Sequence, residues 1–290
     1  MIFCKKCCLD GSVRELVLDE NGICNFCHIA QKELKMAELE RPNFGKRIEQ
    51  IKKDGEGKNY DVLCGLSGGV DSSTTLHYAL KLRLRVLTFT MDNGYNNPKA
   101  DENVLKLVEE LKVPLYRYVL DLKKFNQVYG AYLKAGVKNL EAVYDNLLAG
   151  ASYEVASKYG IKWILSGGNV ATESIMPESW SFKSGDLANM KNIYKKMTGK
   201  RLKRSNDFPL FGTLRFNFYK WISGIKVFYL LDYFDYNREN NKKMLMELYG
   251  YQDVGEKHEE NELTKWYQNY YLYEKWNIDK RKAHYSSLIN

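Results

Sequence analysis

The 290-residue chain is 44% hydrophobic and 28% charged with only 5 prolines, a composition that excludes a disordered or collagen-like protein. It has no apolar run long enough to span a membrane, and Met1-Ile2-Phe3-Cys4-Lys5-Lys6 lacks the apolar stretch of a signal peptide, so a cytoplasmic protein is expected. A formal net charge of +8 is compatible with RNA, nucleotides, phosphorylated sugars or an acidic protein, and decides among none of them.

Five of the six cysteines fall in the first 27 residues. Cys4-x2-Cys7 and Cys24-x2-Cys27, separated by 16 residues, have the spacing of a four-cysteine zinc ribbon, in which two knuckles each supply a thiolate pair. Val13–Leu18 and the turn Asp19-Glu20-Asn21-Gly22 fit a hairpin between the knuckles. An iron–sulfur cluster and a sulfur-accepting thiol pair are the competing readings. Cys8 and His28 stand beside ligands and are read as bystanders. Zinc loss is expected to unfold this module and to disturb the rest of the chain less. Ala30–Leu39 and Gly45–Lys53 read as polar helices joined through Arg41-Pro42-Asn43, and Asp54-Gly55-Glu56-Gly57-Lys58 as a flexible link.

Tyr60–Leu66 is a short apolar run with the pattern of a buried strand, in which Cys64 is an inert thiol. It leads into Ser67-Gly68-Gly69-Val70-Asp71-Ser72-Ser73, and helical spacing follows over Ser72–Leu82. A glycine-rich turn opening a helix offers free N–H groups and the positive end of the helix dipole to an anion, with the serine hydroxyls as further donors. No Gly-Lys-Ser/Thr follows, so this is not a Walker loop. Asp71 would repel a bare triphosphate, which argues for bound Mg²⁺. Strands are predicted over Arg85–Met91, Pro114–Leu120 and Lys162–Leu165, and helices over Pro98–Leu111, Leu122–Ala135 and Tyr144–Tyr159. This alternation predicts an α/β fold with a doubly wound parallel sheet. Ligands of such sheets lie beyond the carboxyl ends of the strands. The loop Ser67–Ser73, Asp92-Asn93-Gly94 and Ser166-Gly167-Gly168-Asn169 with Glu173 should therefore converge on one crevice.

Past Pro177 the pattern turns irregular and aromatic, with helices predicted over Asn189–Met197, Arg238–Tyr249 and Glu262–Trp276. Lys200–Arg204 and Lys280-Arg281-Lys282 read as solvated faces or phosphate contacts. The expected organisation is a zinc-ribbon module at 1–40, a linker at 41–57, an α/β core at 58–180 and a helical substrate or partner region at 181–290.

The segment Ser67–Ser73 resembles the pyrophosphate loop of the ATP pyrophosphatase superfamily, whose sheet is of the PP-loop (HUP-like) type. With the ribbon, Gly22-Ile23-Cys24-Asn25-Phe26-Cys27, Asp92-Asn93-Gly94, Ser166–Asn169, Gly255-Glu256-Lys257-His258-Glu259-Glu260 and the run Asp279–Leu288, the chain resembles the N-acetyl sugar amidotransferases of bacterial surface-polysaccharide biosynthesis. The resemblance implies ATP, Mg²⁺ and Zn²⁺ as cofactors. It also implies conversion of an acetamido group on a nucleotide-linked or free N-acetyl sugar into an acetamidino group, through an adenylylated intermediate and ammonia. Ser67, Gly68, Gly69, Val70, Asp71, Ser72, Ser73, Asp92, Asn93, Gly167 and Asn169 would hold the nucleotide. Asp71 would hold magnesium, and Asp71, Glu173, His258 and Glu259 are the catalytic candidates. Asp92 has three readings: Mg²⁺, ribose or a turn cap.

No glutaminase nucleophile is legible, so ammonia should come from solution or from a partner. In the resembling family the suppliers are a glutaminase and a synthase-like barrel subunit, for which Phe216–Phe234 or Trp266–Trp276 is the expected docking segment. Typical members continue beyond Ile289-Asn290. No membrane partner is expected, and nucleic acid enters only under the rival reading, a tRNA-thiolating enzyme. A nucleotide-binding scaffold without turnover is a third.

Overall fold

The computed structural model describes residues 2–180 and 185–290. Two knuckles open the chain, tied by antiparallel bridges Phe3 to Asp10 and Leu18 to Cys24. Helix α1 (Asn25–Glu40) follows, then a 3₁₀ turn Arg41–Asn43 and α2 (Phe44–Asp54). The expected linker is thus helical, and the reason is apolar spacing: Ile48 and Ile51 of α2 are buried in the same cluster as Val62, Leu84 and Trp163.

The core alternates β1 (Val62–Gly65), α3 (Val70–Lys81), β2 (Val86–Asp92), α4 (Pro98–Glu110), β3 (Leu115–Val119), α5 (Leu122–Ala135), α6 (Ala142–Lys158) and β4 (Trp163–Ser166). Pro98 at the first position of α4 and the Asn97 side chain, which accepts from the Lys99 N–H, fix that helix start. α5 ends on Gly136 in the left-handed region, φ 64°. Every pairing is parallel, in the order β3-β2-β1-β4-β5. The inner strands β1, β2 and β4 are buried along both faces because both faces are covered, whereas the edge strands β3 and β5 are partly exposed. Val62, Cys64 and Leu165 pack under α2, α3 and α4, whereas Leu63, Leu87 and Ile164 pack under α5 and α6. β1 is the switch point, with β2 and β4 on either side, so a crevice opens past its carboxyl end.

A fifth strand lies beyond residue 180. After α7 (Val170–Glu173), a 3₁₀ turn Glu178–Trp180, α8 (Leu187–Thr198) and α9 (Thr213–Asn217), which runs into a π-helical turn Phe218–Ile222, β5 (Lys226–Tyr229) joins β4. The sheet therefore extends into the region expected to be a separate helical unit. α10 (Arg238–Tyr249), α11 (Glu262–Trp266), α12 (Leu272–Trp276) and α13 (Lys280–Ile289) complete the chain, with a π-helical turn Tyr267–Tyr271 joining α11 to α12. α10 packs on α3, and α13 packs on α7. Ribbon residues Cys4, Leu9, Cys24 and Ala30 share one apolar cluster with Ile278 and Ala283, so both ends of the chain are sewn to the core. Among the described residues no helix is long and apolar enough to cross a membrane.

Candidate functional site

A cavity of about 490 Å³ lies past the carboxyl ends of β1, β2 and β4. One wall is the turn between β1 and α3. Gly68 sits there at φ +81°, and a Cβ on it would lie 2.1 Å from the Ala100 carbonyl oxygen. Only glycine fits that backbone. Gly68→Ala should therefore cost roughly 1–3 kcal/mol, read as a lowered thermal midpoint; an unchanged midpoint would refute the strain argument. The Ser67 N–H donates to Ser72 Oγ at 3.1 Å, and Ser72 Oγ donates to the Gly69 carbonyl at 3.2 Å, which locks the turn on itself. Val70, Asp71 and Ser72 are the first residues of a 12-residue helix, whose leading N–H groups have no intrahelical acceptor. This cradle suits an anion. Ser67, Gly69, Val70, Asp71 and Ser72 line the cavity, whereas Ser73 is fully buried beneath it.

Asp71 does not stand free. Its Oδ1 accepts from the Tyr236 hydroxyl and its Oδ2 pairs with Lys257 Nζ at 2.8 Å. The same ammonium reaches Glu173 Oε1 at 2.9 Å and Thr172 Oγ1 at 2.5 Å. Burial pulls the Lys257 pKa down, but Asp71 and Glu173 outweigh it and the net shift is upward. Lys257, missed as a site residue in the sequence, therefore neutralises two candidate catalytic carboxylates. It arrives on a strap, residues 254–261, that crosses the loop; Gly255 at φ +99° and His258 at φ +68° turn it. Ser67 Oγ donates to Glu260 Oε1 at 3.3 Å, and burial raises the Glu260 pKa. The only sequence signal for either residue was the Gly255–Glu260 run.

The remaining candidates separate. Gly167 packs against the start of α3, where a Cβ would lie 2.9 Å from the Ser72 nitrogen, and it lines the cavity with Glu173 and His258. Burial, then the charges of His284, Lys257, Lys280 and Arg238, keep His258 well below the ordinary imidazole range, so it is neutral. Glu259 turns away: Lys265 holds it at 3.2 Å and Asn269 at 3.0 Å, and it borders a smaller adjoining cavity of about 50 Å³. Asp92 is a turn cap, accepting from the Gly94 N–H at 2.8 Å and pairing with Arg117 at 2.9 Å. Of its three readings the geometry supports the turn cap, both oxygens being engaged outside the cavity. Asn93 is buried, accepting from Asn261 at 2.9 Å and the Tyr95 N–H at 3.1 Å. Asn169 caps α7 through the Thr172 N–H at 3.0 Å and donates to the Gly167 carbonyl. Asn93 and Asn169 thus hold the loops whose neighbours form the wall.

At the other end, Cys4, Cys7, Cys24 and Cys27 place their sulfurs within 4.8 Å of one another. Cys4–Cys27, Cys7–Cys24 and Cys24–Cys27 separations are 3.8, 3.7 and 3.6 Å. Zn–S bonds of about 2.3 Å at tetrahedral angles require about 3.8 Å between sulfurs, so the donor set fits Zn²⁺. Burial raises the Cys4 thiol, yet the N–H groups of Lys6, Cys7 and Cys24 outweigh it and leave the pKa at about 6. Burial pushes Cys24 up to about 11, so a bound cation is what would keep that sulfur ionised. His28 pairs with Asp19 at 2.9 Å and Cys8 is exposed; both are bystanders. Cys64, fully buried, is pushed up to about 12 by burial.

Residues 61–153 match the family described as queuosine biosynthesis protein QueC. Residues 260–290 match that described as LPS biosynthesis protein WbpG-like, C-terminal domain. No curated protein matches the chain. Among solved structures, an NH3-dependent NAD synthetase from Campylobacter jejuni is 14% identical, covering 87% of this chain and 96% of that one at a TM-score of 0.36. An NMN synthetase from Francisella tularensis is 14% identical over 77% and 95%, TM-score 0.34. A 4-thiouridine synthetase in complex with RNA and ATP is 20% identical over 52% and 46%, TM-score 0.32. These distant likenesses carry no argument about chemistry. The central strand and its glycine-rich loop lie in the span similar to QueC, and the C-terminal segment is similar to the WbpG-like domain.

Proposed function

We propose that the protein is an ATP-dependent amidotransferase that activates the acetamido group of an N-acetyl sugar and replaces its oxygen with ammonia. The carrying observation is that the WbpG-like segment begins at Glu260, the residue that meets Ser67 of the loop, and continues through Asn261 and Thr264 along the same cavity. The WbpG-like segment and the phosphate cradle thus share one space.

In this reading ATP supplies the adenylyl group that turns a poor leaving oxygen into AMP. The cradle of Ser67–Ser72 orients the phosphates, and Phe89, Thr90 and Met91 at the end of β2 offer the cavity wall for the nucleoside. Asp71 and Glu173 are hard oxygen donors already arranged about one cation, the Lys257 ammonium, so they fit Mg²⁺, which would offset charge on pyrophosphate. Neutral His258 is suited to accept a hydrogen bond from the sugar. Leu214, Trp221 and Ile222, exposed at 88%, 72% and 74%, make the 213–222 surface our choice for an ammonia-supplying partner. The alternative segment Trp266–Trp276 buries Tyr267, Tyr271 and Leu272 in the core.

Thiolation of tRNA would need a reactive cysteine at the crevice, and fully buried Cys64 is the cysteine of β1. The deciding assay supplies ATP, Mg²⁺, ammonium and a nucleotide-linked N-acetyl sugar. AMP, pyrophosphate and an amidino sugar are expected. ADP with orthophosphate, or sulfur transfer to tRNA in a matched reaction, would overturn the reading.

A further inference from the structure

The cavity has a second chemical wall that the phosphate loop does not explain. Glu141, Tyr144, Asp145 and Leu148 follow one another at helical spacing along the start of α6 and line the same space as Ser67–Ser72. Glu141 is already neutralised: Lys280 Nζ lies 3.2 Å from its Oε2, and Gln268 Nε2 donates to both its oxygens at 3.1 and 3.3 Å. The other cavity carboxylates are engaged as well. Asp71 and Glu173 share Lys257, and Glu260 accepts from Ser67. Asp145 and Glu256 alone have no side-chain partner among the described residues lining this cavity. Both are exposed, but Glu256 rides on the strap beside Gly255, whereas Asp145 stands on a 17-residue helix with its own N–H fixed to the Glu141 carbonyl at 2.9 Å.

A fixed, unpaired carboxylate opening into a cavity calls for a cation or an N–H donor. The amidotransferase reading, on which this inference rests, requires such a ligand. Ammonium is the dominant form of ammonia at neutral pH, and it has no lone pair until a proton is removed. We propose that Asp145 binds the incoming ammonium and takes its proton. The nitrogen lone pair then forms the C–N bond to the activated imidate carbon. The C–O bond to AMP breaks and its electron pair leaves with AMP, while the proton passes from the Asp145 carboxyl to solvent. Enclosure by the cavity walls, then the neighbouring Glu141 charge, raise the Asp145 pKa against the pull of Lys280, a direction that suits a proton acceptor. His258, the other titratable base of the wall, is a weaker acceptor because its surroundings disfavour the protonated ring.

The test uses the full chain carrying Asp145→Asn, an isosteric change on a cavity wall. ATP–pyrophosphate exchange dependent on the N-acetyl sugar reports activation without ammonia. It should stay within a few-fold of the native rate. Amidine formation from ammonium should fall about 10²–10⁴-fold, the usual worth of a general base. Hydroxylamine, a nucleophile already neutral near pH 7.5, should restore turnover in the variant to within a few-fold of the native rate. Retained use of ammonium by Asp145→Asn, or equal loss with both nucleophiles, or loss of the exchange, would each overturn the role. Absence of exchange in the native chain would instead overturn the amidotransferase reading, and this proposal with it.

Discussion

Lys257→Ala should lower AMP formation about 10²–10³-fold, the scale expected when one pre-oriented charge facing the transition state is removed. In the structure its ammonium bridges Asp71 and Glu173 at the mouth of the cradle. Removing it leaves two carboxylates facing each other, and Asp71, only 15% exposed, is poorly placed to recover hydration. That pair should then take a divalent cation more readily than in the native chain. Mg²⁺ without nucleotide should therefore raise the melting temperature of Lys257→Ala more than that of the native protein. The pH behaviour follows from the sign of the shift. A lysine raised above its ordinary value of 10.5 contributes stability fully below that value and loses it only as pH climbs through the folded pKa. The pair is therefore intact throughout the neutral range, and the native-to-variant difference in melting temperature should not change there. A variant turning over at the native rate would remove Lys257 from the mechanism.

Lys257 also shows where sequence reading ran out. The loop Ser67–Ser73 was legible because strand, glycine turn and helix start are contiguous, so local chemistry determines local structure. The cysteine pairs were legible for the same reason. Lys257 meets Asp71 across 186 positions, and nothing in a single sequence reports that contact. The contact of Asp92 with Arg117 was equally hidden, because it forms only when β3 runs alongside β2. β5 escaped because it is a four-residue edge strand, exposed at three of its positions. It pairs with β4 from beyond the expected boundary. Residues 181–184, at the expected boundary itself, lie outside the described residues.

Removing the zinc that the ribbon is shaped to hold should destabilise far more than the ribbon. Metal analysis of native protein is expected to give one zinc per chain; stoichiometric iron with sulfide, or no metal, would refute the assignment. Structural zinc sites in small modules supply about 10–16 kcal/mol of apparent binding free energy, which is folding free energy when the apo module cannot hold its shape. Cys24→Ser removes one of two sulfurs at the fully buried centre of the cluster. On sequence alone the loss would stay local, but the contacts say otherwise. Asn290 Nδ2 donates to Cys27 Sγ at 3.4 Å, the Cys8 N–H donates to Ser286 Oγ at 3.1 Å, and Lys282 pairs with Asp10 at 2.5 Å. These three contacts hold α13 against the ribbon. Ser287 of the same helix accepts from the Ile175 N–H at 3.0 Å, just past α7, which carries Thr172 and Glu173 into the crevice. The ribbon thus braces the active wall through α13. Cys24→Ser, or chelation of native protein, should lower the melting temperature and reduce AMP formation together. A chelated protein that loses its ribbon yet keeps full turnover would show that α13 holds the crevice without it.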